Sequence, residues 1–181
     1  MKPIKTATIL WTLVAALSAA PLLCAQEHSL AKVNATAIQI EMIQARDVSL
    51  PAEFQVALYE NLIQEMQKEG GFPEVYRDGD RNAAGAPDLI ILHTTVTGFK
   101  QGSELKRDVT TVGGATSITV LCQFTDKEGK VLLERSIDGK VRLIGDNLKA
   151  TDDFAKKTAK LTAERFTPDR NDSDSDSAIL R

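Results

Sequence analysis

The spacing of apolar positions changes several times along the chain, and each change marks an element. Thr36 to Ile43 (TAIQIEMI) alternates, with Ile38, Ile40 and Met42 opposed to Gln39 and Glu41, the period of a half-buried strand. From Pro51 to Lys68 the period lengthens. Phe54, Leu58, Leu62 and Met66 recur every four positions, Tyr59 and Ile63 widen the stripe, and Glu53, Glu60, Gln64 and Lys68 lie opposite. That pattern predicts an amphipathic helix. Ser49 offers an N-cap, Pro51 suits the first turn, Glu53 complements the helix dipole, and Gly70-Gly71 supplies the stop.

Phe72 to Tyr76 predicts a short strand, and Arg77 to Pro87 (RDGDRNAAGAP) has the Gly, Asn, Asp and Pro content of a loop. Asp88 to Phe99 (DLIILHTTVTGF) is apolar on both faces in its first half and Thr-rich in its second, as a central strand would be. A turn is expected at Gln101-Gly102, followed by an exposed edge segment up to Gly114. Thr116 to Thr125 alternates, with Ile118, Val120, Cys122 and Phe124 against Ser117, Thr119 and Gln123. Asp126 to Gly129 reads as a hairpin loop with Gly at a left-handed position. Val131 to Leu143 then returns with Leu133, Ile137, Val141 and Leu143 on one face. A last helix is expected from Thr151, as cap, to Phe166, with Asp152-Asp153 at its positive end. Its stripe of Phe154, Ala155, Thr158, Ala159, Leu161 and Thr162 is narrow and small, which suits close docking on a sheet.

A strand-helix-strand opening needs a crossover, whereas the hairpin is antiparallel. The expected fold is therefore an α+β two-layer sandwich, with a mixed, mostly antiparallel sheet and two helices on one face. The expected organisation is a signal peptide over 1–25, a flexible lead over 26–35, one α+β domain over 36–167 and a disordered acidic tail over 168–181.

The signal-peptide reading rests on Lys2 and Lys5, the apolar run from Ala7 to Leu23, and the small residue Ala25 before Gln26-Glu27-His28. A spanning anchor needs about 20 apolar residues; this run contains Thr12 and Ser18 and has no basic flank after it. Export to the periplasm or beyond is the expectation, with no membrane span left after cleavage. A lipid anchor at Cys24 is disfavoured by Leu23, where a small residue would precede an acylated cysteine. Of 22 basic and 25 acidic residues, cleavage removes two lysines and no acid, so the mature net charge is 20 − 25 = −5. That balance speaks against nucleic acid as a partner. Cys122 alone remains as a thiol, too few for an internal disulfide.

The sequence carries no GxSxG elbow, HExxH or Walker loop. His28 lies beside the cleavage site. His93 lies mid-strand, where a half-buried imidazole held by a neighbour is the ordinary case, and it is the one candidate member of a dispersed catalytic or ligand site. Cys122 lies on the apolar face and reads as a small buried hydrophobe. Asp78-x-Asp80-x-Asn82 opens like a calcium loop, but Ala83 and Leu89 occupy the positions that need Gly and a bidentate Glu. Asp172-x-Asp174-x-Asp176 fails the same test. No catalytic residue, metal ligand or cofactor is expected. The expected interaction surface is the Gly102–Gly114 segment with Arg107, Gly113 and Gly114, on the argument that an edge strand accepts a partner strand.

The residues from Asp88 onward resemble the bacterial envelope family called domain of unknown function 4410. Val96-Thr97-Gly98-Phe99, Gly102-Ser103, Arg107, Gly113-Gly114, the Thr116–Phe124 strand and the Asp126–Gly129 turn carry the likeness. Leu50-Pro51 and Gly71-Phe72-Pro73-Glu74-Val75 also fit. The resemblance covers about Ile38 to Phe166. It implies a bacterial cell-envelope location and no activity. The partner it leaves open is an envelope protein or ligand.

Overall fold

The computed structural model describes residues 32–102, 115–141 and 146–167. The signal peptide, Arg107, Gly113, Gly114, Leu143 and the acidic tail, as expected from sequence, lie outside the described residues.

Strands β1 (Val33–Asn34) and β2 (Ala37–Ile40) lead into helix α1 (Ala52–Glu69), then β3 (Glu74–Arg77) and a 3-10 turn (Arg81–Gly85). Three long strands follow: β4 (Leu89–Lys100), β5 (Thr116–Thr125) and β6 (Val131–Val141). Helix α2 (Lys149–Arg165) and β7 (Phe166–Thr167) complete the described chain. The main sheet has the order β3-β2-β4-β5-β6. β2 runs parallel to both β3 and β4 over short ladders, and the long β4–β5–β6 ladders are antiparallel. The fold is the α+β sandwich expected, with a mixed sheet.

The alternation along β4 and β5 decides which face is covered. Ile90, Leu92, Thr94 and Val96 are buried on one face of β4, as are Ile118, Val120, Cys122 and Phe124 on β5. They meet Phe54, Leu58, Leu62 and Met66 of α1 and Phe154, Ala155 and Ala159 of α2, forming one core. Each large side chain fully removed from water contributes about 1.5–3 kcal/mol. The four-residue stripe of α1 is wholly buried, because residues four apart lie on one helical face.

Several local expectations are corrected. Pro51, not Ser49, caps α1, and its carbonyl accepts from the Phe54 and Gln55 N–H groups. α2 starts at Lys149, two residues before Thr151, and Asp146 accepts the Leu148 N–H ahead of it. The Thr151 hydroxyl instead donates to Leu148 O and accepts from Asn61 Nδ2 at 2.8 Å, tying α2 to α1. The domain also starts before Thr36: Val33–Asn34 pairs in parallel with Phe166–Thr167, and Ala35 is buried. This second, two-stranded sheet joins the two ends of the described chain. Arg77, expected in the loop, ends β3, and the remaining loop contains the 3-10 turn.

Gly139 is a feature that the sequence pattern does not show. A Cβ built there would lie 2.0 Å from the Ala150 carbonyl oxygen and 2.7 Å from Phe154 Cβ. The missing side chain is what lets the start of α2 lie directly on β6.

Candidate functional site

His93 lies on the sheet face opposite the helices, where side chains of β4 and β5 are half-buried. Its Nδ1 is 2.7 Å from Glu41 Oε2, and its Nε2 is 3.1 Å from Thr125 Oγ1. Register explains the grouping. β2 pairs with β4 and the chain continues past Ile40 with a Glu41 N–H bond to Leu92 O, while Gln123 and Thr125 face His93 and Ile91 from β5. Carboxylate, imidazole and hydroxyl in series is an order that can activate a hydroxyl nucleophile. Here Thr125 is buried at the end of a strand, and two concave regions of the described surface are lined by other residues. The arrangement satisfies both imidazole nitrogens and links three strands. Beside it, Gln123 Nε2 donates to Glu134 Oε2 and Thr119 Oγ1 donates to Asp138 Oδ1, each at 2.8 Å. Lys140 and Thr119 hold the Asp138 carboxyl below its ordinary pKa.

Cys122 is fully buried among the core side chains, and burial pushes its thiol pKa up to about 12, with a hydrogen bond to Thr158 opposing that shift. Such a group stays protonated near neutral pH and is a poor nucleophile. The Asp78 and Asp80 side chains serve the backbone: Asp78 Oδ2 accepts from Met42 N–H, and Asp80 Oδ1 from Asn82 N–H. Among the described residues no group of three His, Cys, Asp or Glu side chains is placed to hold a metal ion.

Two concave regions stand apart from these groups. The first, about 280 Å³, lies between β1, the start of β4 and the β5–β6 hairpin. Two of its charged side chains are used structurally: Lys127 Nζ donates to Ala86 O, and Asp126 Oδ1 accepts from the Glu128 and Lys130 N–H groups. The second, about 340 Å³, is an apolar groove formed by Met42, Ala52, Gln55, Val56, Tyr59 and Glu60. At its rim Arg77 grips Glu60 with two 2.7 Å bonds and lies over the Tyr59 ring. The guanidinium holds the Glu60 carboxyl below its ordinary pKa.

Residues 103–114 of the expected edge segment lie outside the described residues; in the described main sheet the edge strands are β3 and β6. β6 is guarded over its second half by α2: the Lys140 N–H donates to Asp153 Oδ2, and Lys157 Nζ donates to Asp138 O, each at 2.9 Å. Near its start, Leu132 is an extra residue against β5, and such a bulge also discourages strand addition. The acidic and basic positions on α2 gave no sequence signal for this role, because it depends on where the helix lies.

No family model and no curated protein matches the chain. Solved structures do share the fold. A PelC dodecamer from Paraburkholderia phytofirmans is 12% identical, with 73% of this chain and 89% of that one aligned and a TM-score of 0.54. A single-substitution variant of the same dodecamer gives 12%, 74%, 92% and 0.54. A Xanthomonas campestris protein assigned to DUF330 aligns at 12% identity over 76% of this chain and 84% of that one, with a TM-score of 0.44. The described chain thus has the PelC type of α+β fold. No helix among the described residues is long and apolar enough to cross a membrane.

Proposed function

We propose that the protein is an exported component of a bacterial cell envelope and acts as a non-catalytic binding or scaffolding domain. One observation carries this reading: the groups best suited to chemistry are committed to structure, whereas an apolar groove stands open. His93 is held at both nitrogens and Cys122 is buried, while Met42 and Val56 are 50% and 62% exposed beside that groove. The leading Lys2–Ala25 segment and the resemblance to the domain of unknown function 4410 family support export and an envelope location. The likeness to PelC, solved as a dodecamer, supports association as the mode of action. The alternative, a ligand-binding protein or enzyme centred on His93, draws support from Glu41 beside the imidazole.

Arg107, Gly113 and Gly114 remain the proposed contact for a partner outside this chain. Affinity purification from detergent-solubilised envelope tests both the reading and that contact. Wild type should retain a stoichiometric envelope component, and Arg107→Ala should lose at least ten-fold of it. Equal recovery with wild type and Arg107→Ala removes the segment as the contact. Recovery of nothing by wild type counts against the partner.

A further inference from the structure

Asp precedes Gly at two places in the chain, Asp78-Gly79 and Asp138-Gly139, and the fold treats the two steps oppositely. An Asp-Gly step can rearrange unaided, because Gly has no Cβ to keep its backbone nitrogen away from the Asp carboxyl carbon. At Asp78-Gly79 both residues are exposed, in a turn closed by the Asp80 N–H to Arg77 O. Nothing lies within 4 Å of the place a Gly79 side chain would take. Two hydrogen bonds tie Asp78 to its surroundings: its N–H donates to Tyr59 Oη at 2.9 Å, and its Oδ2 accepts from the Met42 N–H at 3.2 Å. Met42 lines the apolar groove.

Asp138-Gly139 lies inside β6, opposite Thr119 and Ile118 of β5. Gly139 is buried against the Ala150 carbonyl. The Asp138 carboxylate is held on both oxygens, by Thr119 Oγ1 at 2.8 Å and Lys140 Nζ at 2.9 Å. Lys140 and Thr119 also favour its ionised form, which loses oxygen less readily than the neutral acid. Ring closure there requires the β5–β6 ladder and the α2 contact to open first.

We propose that Asp78 is a site of spontaneous isoaspartate formation that releases Met42 from the turn, and that the fold protects Asp138 from the same reaction. The Gly79 nitrogen attacks Asp78 Cγ. An N–Cγ bond forms, and the hydroxyl of the acid leaves with the amide proton as water. Water then adds to a carbonyl of the five-membered imide. Opening at the α-carbonyl breaks its bond to the Gly79 nitrogen, leaving the chain to run through Cγ with a carboxylate on Cα. That carboxylate sits on a shorter arm and the backbone is one carbon longer, so the Met42 N–H loses its acceptor.

Ageing the purified protein in mildly acidic buffer made with heavy-oxygen water tests this. Peptide mapping with electron-transfer fragmentation reads isoaspartate and labelled oxygen at each step. Unfolded in urea, both steps should convert at similar rates. In the folded protein Asp78 should convert at least about ten-fold faster than Asp138, since exposed turns open at little cost while core strands need much of the global unfolding free energy. The isoaspartate at position 78 should carry heavy oxygen, and the Met42 amide should exchange its hydrogen faster in the converted fraction. If folded Asp78 stays unconverted over the time in which the unfolded chain converts, the site is overturned. Equal rates at the two steps in the folded protein overturn the protection of Asp138. Conversion that leaves Met42 exchange unchanged overturns the release of that contact.

Discussion

Phe124→Ala should cost about 3–5 kcal/mol of folding stability, the range for emptying a well-packed aromatic site. Phe124 is fully buried, opposite Leu92 on β4 and Leu133 on β6. Its ring centroid lies 5.3 Å from that of Phe166, which in turn lies 6.2 Å from Phe72. Phe166 begins β7, the partner of β1, so the cavity would also loosen the small sheet that joins the ends of the described chain. Urea unfolding should show a much lower midpoint with little change in slope, and the melting temperature should fall by about 10 °C or more. A loss below about 1 kcal/mol would place the ring outside the core.

Gly139→Ala should be the next most damaging change, although it adds only a methyl group. Overpacking a close contact costs about 1–3 kcal/mol and occasionally more. The upper part of that range is expected, because the nearest obstacle is the Ala150 backbone carbonyl and not a side chain able to rotate away. Ile118 Cγ2 at 3.0 Å closes the remaining direction. Relief requires the start of α2 to withdraw from β6, which would weaken the Asp153 bond to the Lys140 N–H. Gly85→Ala is the matched control: nothing lies within 4 Å of the place its new methyl group would take, so its unfolding midpoint should stay close to wild type. Equal midpoints for the two variants would contradict the close approach of α2 to β6.

These two sites also show what the sequence makes legible. Phe124 is readable because β5 alternates strictly and one face must be buried. The α1 stripe is readable for the analogous reason at helical period, and Gly129, with φ of 82°, is readable from the hairpin that requires it. Gly139 is not, since a glycine in a strand signals a close approach without saying to what. Ser49 and Thr151 have the chemistry of caps, but capping depends on backbone geometry: Pro51 precedes the first turn of α1, and Thr151 is used between the helices. Val33–Asn34 is too short to show a period. Glu65 breaks its helix pattern by being buried, with Oε2 3.9 Å from Lys68 Nζ.

The candidate site is legible only in parts. His93 is visible as a half-buried strand histidine with a neighbour, and the structure supplies that neighbour as Glu41. Glu41 itself could not be named from sequence, because alternation gives the face of a strand and not the strand beside it. The same limit applies to the groove. Met42 follows β2 and Val56 belongs to α1, and the crossover from β2 to β3 brings them together. Arg107, Gly113 and Gly114 of the partner-facing segment chosen from sequence lie outside the described residues, between β4 and β5 in the chain.

The central claim, an exported domain that works by association in the envelope, is tested most directly by intact-mass spectrometry of the native protein after cell fractionation. The predicted result is a chain beginning at Gln26, recovered from the envelope fraction. An unprocessed chain still carrying Met1, recovered from the cytosol, would contradict it.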